Sequence, residues 1–191
     1  MAGYELVAPL ETERLLLRPY TNGDFPALYA MRSNADVARY LYWEPQTEDE
    51  AREMLRQKIA SVSISSEGDV LAAAAEHRSS GEVVADVILH WVSREHSLAE
   101  IGYIVHPDHA GRGYATEAAR PLLAVAFEIL RLHRVIGRVE ARNVRSARVL
   151  EKLGMRCEAH LVENEFVKDE WQSELVYAIL DREWRPSGRT P

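Results

Sequence analysis

Cysteine is nearly absent: Cys157 is the only one in 191 residues. That excludes an intrachain disulfide and suits a reducing compartment. Long hydrophobic runs are missing too, since no stretch approaches the ~18 to 20 apolar residues of a transmembrane helix. Met1-Ala2-Gly3-Tyr4-Glu5 has neither the basic region nor the apolar region of a signal peptide. The expectation is a cytoplasmic protein with no membrane partner. An excess of positive charge is also lacking. Lys and Arg number 23 against 30 Asp and Glu, a formal net charge of -7, which argues against general affinity for nucleic-acid backbones. There is no internal repeat and no low-complexity tract. What is present is an ordinary globular composition, 47% apolar and 28% charged. The length suits one domain over residues 1–191, with a core at about 12–184 and a loose tail at 185–191.

The pattern along the chain alternates strands and helices. Leu15-Leu16-Leu17 reads as a strand halted by Pro19, and Asn22 to Ser33 as a helix. Thr47 with Glu50 three residues later is a capping-box pattern, followed by Ala51, Met54, Leu55 and Ile59 at helical spacing. Val70–Ala75 and Val83–Val92 are apolar runs separated by Ser79-Ser80-Gly81, a hairpin signal. Glu100–Val105 is a further strand, and a helix is expected from about Gly113 to Leu130, kinked or shortened by Pro121. Arg134–Ala141 reads as a strand and Asn143–Leu153 as a helix. Asn143 suits its N-cap and Gly154 the left-handed position after it. Strands at about Cys157–Val167 and Trp171–Leu180 follow. The simplest packing of this order is a mixed α/β fold with helices on both faces of the sheet.

The most informative stretch runs from Val105 to Ala118. A strand ends, Gly111-Arg112-Gly113 forms a tight loop, and a helix starts at once. Glycines let successive backbone N–H groups face one concavity, and a helix N-terminus adds partial positive charge, so the pair suits a diphosphate. The loop is not a Rossmann fingerprint, because its sixth position is Thr116 and no early βαβ unit surrounds it. Nor is it a Walker loop, since no Gly-Lys-Ser/Thr follows. Arg112 places a fixed positive charge on it.

Three blocks carry a resemblance. Glu100-Ile101-Gly102-Tyr103-Ile104-Val105 through Gly111-Arg112-Gly113-Tyr114-Ala115-Thr116-Glu117-Ala118 resembles motif A of the GNAT N-acetyltransferases. Ala141-Arg142-Asn143, Ser146 and Leu150-Glu151-Lys152-Leu153-Gly154-Met155 resemble the second block of that superfamily. Trp171 and Tyr177-Ala178-Ile179-Leu180 resemble its closing strand. In order and spacing the blocks look most like the branch with the Rim-type ribosomal-protein N-terminal acetyltransferases. The resemblance implies a splayed, mostly antiparallel sheet of about six to seven strands, and acetyl-CoA as acetyl donor with no metal. It implies that Gly111, Arg112, Gly113, Tyr114, Ala115 and Thr116 hold the pyrophosphate. The backbone of Ile104 and Val105 would pair with the pantetheine arm, and Asn143 would hydrogen-bond it. Where the family has Gln or Arg at the start of the loop, this chain has Ala110; most of the grip comes from backbone N–H groups.

Amine acetylation needs a neutral amine and then a proton for the leaving thiolate. By its separation from Ser146, Glu165 matches the serine–glutamate pair of the Rim-type enzymes. In that reading Glu165 binds the water or amine and Ser146 protonates the thiolate. Glu100 is the second candidate base, on the strand just before the cofactor-binding bulge. Tyr103 and Tyr177 are candidate acids, with half-buried strand aromatics as the plainer reading. His106 and His109 flank Asp108 without a third metal ligand. Arg142 or Arg145 is a candidate for the 3′-phosphate. Tyr40–Trp43 and Val162–Glu170 would build the acceptor pocket, whose acids favour a cationic acceptor, either a protein N-terminus or a small amine. The competing function is an acyl-CoA-sensing module that has lost turnover, toward which Ala110 leans. A homodimer through the final strands is common in the superfamily, and no residue here demands one.

Overall fold

The computed structural model describes residues 3–185; the tail expected at 185–191 lies outside them except for Arg185. Two-residue strands β1 (Tyr4–Glu5) and β4 (Ser63–Ile64) form a small antiparallel ribbon. The main sheet contains β2 (Leu10–Glu11), β3 (Leu15–Arg18), β5 (Val70–His77), β6 (Val83–Ser93) and β7 (Leu98–Val105). It continues with β8 (Arg134–Glu140), β9 (Arg156–Val167) and β10 (Glu170–Leu180), in the order β2-β3-β5-β6-β7-β8-β10-β9. Every neighbouring pair is antiparallel except β7 and β8. The sheet thus has eight strands where the sequence pattern gives seven, because β2 is too short to show a period.

Among the described residues five α-helices surround it: α1 (Phe25–Arg32), α2 (Ala35–Ala38), α3 (Glu48–Ala60), α4 (Tyr114–Ala124) and α5 (Val144–Lys152). One core cluster packs α4 and α5 against the sheet, with Leu15, Leu17, Leu71, Ala73, Val87, Leu89, Trp91, Leu122 and Leu150 buried. The other packs Leu28, Met31 and Leu55 of α1 and α3 against Ala74 and Val83. Ala72–Ala75 favour a helix by propensity, yet lie in β5 with all four buried. Cover on both faces overrides the local preference.

The expected caps are present. Thr47 accepts from the Glu50 N–H (3.4 Å), and the Glu50 carboxylate accepts from the Thr47 N–H (2.8 Å). Asn143 Oδ1 accepts from the Ser146 N–H (3.1 Å), and Gly154 has φ +87°. Pro121 does not break α4. The helix runs through it to Ala124 and passes into a π turn over Val125–Ile129, where the Leu130 N–H reaches the Val125 carbonyl (2.9 Å). Gly137 on β8 lets α5 approach closely, for a Cβ there would meet Leu150 Cδ2 at 2.6 Å. No helix among the described residues is long and apolar enough to cross a membrane.

Candidate active site

The sheet forks at its centre. β7 and β8 pair at only three places, Leu98 with Arg134, Ala99 with Val135 and Glu100 with Ile136. Beyond Glu100, β7 stays with β6 as far as Val105, and β8 stays with β10 as far as Glu140. The edge of β7 that faces the fork, Ile101 to Val105, therefore has no strand partner. Such an edge accepts an extended chain by backbone hydrogen bonding. Ile104 and Val105 lie on this edge, as expected for residues that pair with an arm-like ligand.

The glycine loop closes one side of the fork. After a single 3₁₀ turn at Pro107–His109, Gly111 and Gly113 take left-handed φ values of +80° and +84°. The first intrahelical bond of α4 runs from the Glu117 N–H to the Gly113 carbonyl (3.2 Å). The N–H groups ahead of it have no intrahelical acceptor and remain for a ligand. They border a cleft of about 450 Å³ whose other walls are Tyr103, Ile104 and Val105 of β7 and Asn143, Ser146, Arg145, Arg148 and Lys152 around α5. A peptide cradle facing three cations fits a diphosphate with a further phosphate.

Gly111, Gly113, Tyr114, Ala115 and Thr116 all line this cleft, as does Ala110. The Arg112 side chain does not; its carbonyl is held by Arg14 Nη1 (3.1 Å) and its guanidinium lies 3.4 Å from His109 Nδ1. Arg142 is also engaged elsewhere, donating to Glu140 (2.8 Å) and Glu170 (2.5 Å). Arg145 lines the cleft. Behind the loop lies a brace that no local sequence pattern announces. Glu117 accepts from Thr12 Oγ1 (2.7 Å), the Arg14 N–H (2.8 Å) and Arg14 Nε (2.7 Å), and the Arg14 guanidinium lies over the Tyr114 ring at 4.6 Å. Burial pushes the Glu117 carboxyl up, and the bonds from Thr12 and Arg14 outweigh it, leaving it below the usual glutamate value. A groove of about 740 Å³ on the outer side of α4 meets the loop at Gly113 and Thr116 but contains no residue of the fork.

A second cavity, about 270 Å³, lies beside the cleft and shares Tyr40, Leu41, Tyr103, Ile104, Asn143 and Ser146 with it. Its walls are strongly charged. They carry Glu100, Glu140, Glu165, Glu174 and Asp86, against Arg32, Lys58 and Arg138. Arg138 donates to Glu174 (2.9 Å) and to Glu165 (3.1 Å). Tyr42 donates to Glu174 (2.9 Å). Lys58 and Tyr20 both donate to Asp86, at 2.7 and 2.9 Å.

The structure gathers Glu100, Glu165 and Ser146 around this one chamber but gives them different surroundings. Glu165 is tied to Arg138. No hydrogen bond to the Glu100 carboxylate occurs among the described residues, and burial raises its pKa; Arg138 and His90 pull it down in part, and Glu174 adds to the rise. The Ser146 hydroxyl meets the Tyr103 hydroxyl at 3.0 Å, and Tyr103 also reaches the Ser146 carbonyl (2.9 Å). Burial keeps the Tyr103 hydroxyl protonated far above neutrality. Tyr177 is buried and donates to Glu151 (3.3 Å), and neither cavity includes it.

Arg32 and Glu174 are two further residues of the chamber with only a faint mark in the sequence. Their signal was a charge placed where the periodicity demands an apolar residue: Arg32 beside Leu28 and Met31 on α1, and Glu174 ahead of Leu175 and Val176 on β10. Among the described residues no group of three or more His, Cys, Asp or Glu side chains could hold a metal.

The chain that folds into this site is similar to known proteins. The family model for the acetyltransferase (GNAT) domain matches residues 14–156. The chain is 31% identical to the uncharacterized N-acetyltransferase YnaD of Bacillus subtilis, over 92% of this chain and 98% of that one. A GNAT-family acetyltransferase structure from Bacillus anthracis superposes with a TM-score of 0.82 at 30% identity, covering 92% of this chain and all of the other. Spermidine N-acetyltransferase of Vibrio cholerae, solved with CoA and spermine, gives 0.76 at 25% identity over 90% and 98%. With the matched domain spanning the loop, the fork and α5, the chain belongs to the GNAT family and is an acetyl-CoA-dependent N-acetyltransferase.

Proposed function

We propose that the protein, acting as one domain, moves the acetyl group of acetyl-CoA directly onto a primary amine while both substrates are bound. The observation that carries this reading is the shared wall of the two cavities at Tyr103, Ile104, Asn143 and Ser146. A thioester entering along β7 and an amine entering the charged chamber meet there. Cys157, the only thiol, is exposed on β9 and borders neither cavity, so it offers no covalent relay.

The chain's residues divide the work. The N–H groups of residues 111–116 receive the pyrophosphate, with Arg145, Arg148 and Lys152 beside them. Ile104 and Val105 present backbone to the pantetheine arm, and the free Nδ2 of Asn143 faces the same arm. An ammonium is inert as a nucleophile, so a carboxylate must take its proton, directly or through water. Glu100 suits that role best: a raised pKa makes it a stronger base than a free glutamate, whereas Glu165 is already spent on Arg138. Glu165 then holds Arg138 and the chamber wall in place. As the amine nitrogen bonds to the acetyl carbon, the carbon–sulfur bond breaks. The departing thiolate takes a proton from the Ser146 hydroxyl, which is backed by Tyr103. The second proton that the nitrogen sheds on becoming an amide restores the serine, while the first leaves Glu100 for solvent. A β7 backbone N–H beside the thioester stabilises the carbonyl oxygen.

Calorimetry with acetyl-CoA, beside a Gly113→Glu variant, and thiol release over a panel of amines test the reading. Intersecting initial-velocity lines are expected, since parallel lines mark a covalent relay. Binding without turnover on any amine would favour the acyl-CoA-sensing alternative. The exposed edge strand β9, with Leu161, Val162 and Phe166 uncovered and Trp171 of β10 beside them, further supports a homodimer formed through the last hairpin.

A further inference from the structure

The charged chamber contains one cation and one carboxylate that the protein does not pair. Arg32 is 7% exposed, and its Nε is buried without a hydrogen-bond partner among the described residues. Its guanidinium lies 4.6 Å from the centre of the Trp43 ring, a face-on contact that satisfies none of its in-plane N–H groups. Asp86 is the anion whose field reaches it, but Asp86 Oδ1 already serves Lys58 and Tyr20. Gln46, whose N–H donates to the Arg32 carbonyl (2.9 Å), has a buried unpartnered oxygen of its own; a neutral amide does not cancel a guanidinium charge.

Across the same cavity Glu174 is 3% exposed. Its Oε2 serves Tyr42 and Arg138, and its Oε1 is buried with no partner. Lys58 is matched by Asp86, Arg138 by Glu174 and Glu165, and Arg142 by Glu140 and Glu170. What remains is Arg32 on one wall, and Glu100 with the free Glu174 oxygen on the other. Buried polar groups are normally hydrogen-bonded, and orphans of opposite sign in one cavity describe a ligand with both charges.

We propose that the acceptor is a small aminocarboxylate, its carboxylate received by Arg32 and its amine by Glu174 and Glu100. This rests on the N-acetyltransferase reading above. A cavity of about 270 Å³ suits a molecule of amino-acid size. A polycation, such as the spermine held by the Vibrio cholerae relative, would bring an ammonium against Arg32 and leave its charge unmatched.

Matched pairs that differ only by a carboxylate decide the question. They are lysine and cadaverine, ornithine and putrescine, and phenylalanine and phenethylamine, with spermidine and a Ser-Ala-Gly amide peptide as further acceptors. Thiol release is followed at saturating acetyl-CoA, and each acceptor is also titrated calorimetrically into the acetyl-CoA-loaded protein. At least one amino acid is expected to exceed its decarboxylated partner by about 30-fold or more in kcat/KM, as a site built around a polar group rejects the analogue that lacks it. Arg32→Gln should collapse that ratio by raising KM for the amino acid, with acetyl-CoA affinity in the same variant reporting its folding. If the variant does not fold, the wild-type ratio decides alone. Equal or better turnover of the decarboxylated amines, spermidine or the peptide would overturn the proposal and leave the transferase reading intact. So would a loaded protein that binds none of the amino acids. Failure to bind acetyl-CoA would strike the transferase reading itself.

Discussion

Glu100 is held in two opposing demands, and both are measurable. Its burial raises the carboxyl pKa, so the charged form is the costly one in the folded chain. A carboxyl raised on folding contributes stability below its unfolded pKa and loses it as pH rises through the folded value. Glu100→Gln is therefore expected to raise the melting temperature at pH 7 to 8, with the gain fading at pH 4 and below. The same variant should lower kcat by about 10²- to 10³-fold, the usual range for a lost general base. It should also remove the acidic limb of the kcat/KM profile, which in the native protein is shifted upward from that of an ordinary glutamate. A stabilised variant with undiminished kcat would assign the base elsewhere, with Glu165 next to be tested.

Tyr103 and Ser146 act as one unit in this geometry, because their oxygens are 3.0 Å apart. Tyr103→Phe and Ser146→Ala should each reduce kcat by about tenfold, and the double variant should lose less than the product, the mark of coupled groups. Strictly multiplicative losses would mean that the two hydroxyls act independently.

At the scale of elements, the brace between the β2–β3 turn and α4 positions the loop without touching a ligand. Glu117 receives three bonds from Thr12 and Arg14. Glu117→Ala is expected to weaken acetyl-CoA binding by about tenfold, much of it through the loss of a preordered loop, while KM for the acceptor stays as it was. Unchanged affinity in calorimetry would show that the glycines alone set the loop.

Much of this element was legible in the chain. Two glycines between a strand and a helix announce left-handed turns and free N–H groups, and Gly111 and Gly113 have them. Thr47, Glu50, Asn143 and Gly154 marked their helix ends through side-chain chemistry that acts within three residues. The brace was not legible, since Thr12 and Glu117 are distant in sequence and each alone reads as a surface polar residue. β1, β2, β4 and α2 escaped for another reason: two to four residues are too few to display a period. The identity of the paired carboxylates was likewise hidden. The sequence offers Glu165 first and Glu100 second, and what sets them apart in the fold is the burial of Glu100 and the hydrogen bond from Arg138 to Glu165.

For the whole molecule, the sheet order leaves β9 as a twelve-residue edge with exposed apolar side chains around its hairpin, including the Phe166–Trp171 pair at 5.3 Å. Light scattering should give twice the chain mass of 21.7 kDa at micromolar concentration. A Val162→Lys, Phe166→Lys variant should return it to the single-chain value, and a native protein that stays monomeric at high concentration would leave the edge without this role.

Gly137 carries no side chain, and α5 rests where one would stand, with Leu150 Cδ2 2.6 Å from the place of a Cβ. Asn143 and Ser146 ride with that helix. A methyl at position 137 would press on the Leu150 side chain, and any shift of α5 that relieved the contact would carry cap and hydroxyl together while leaving every polar group of both cavities chemically unchanged. Such a substitution would escape any inventory of reactive side chains and still register as lost turnover.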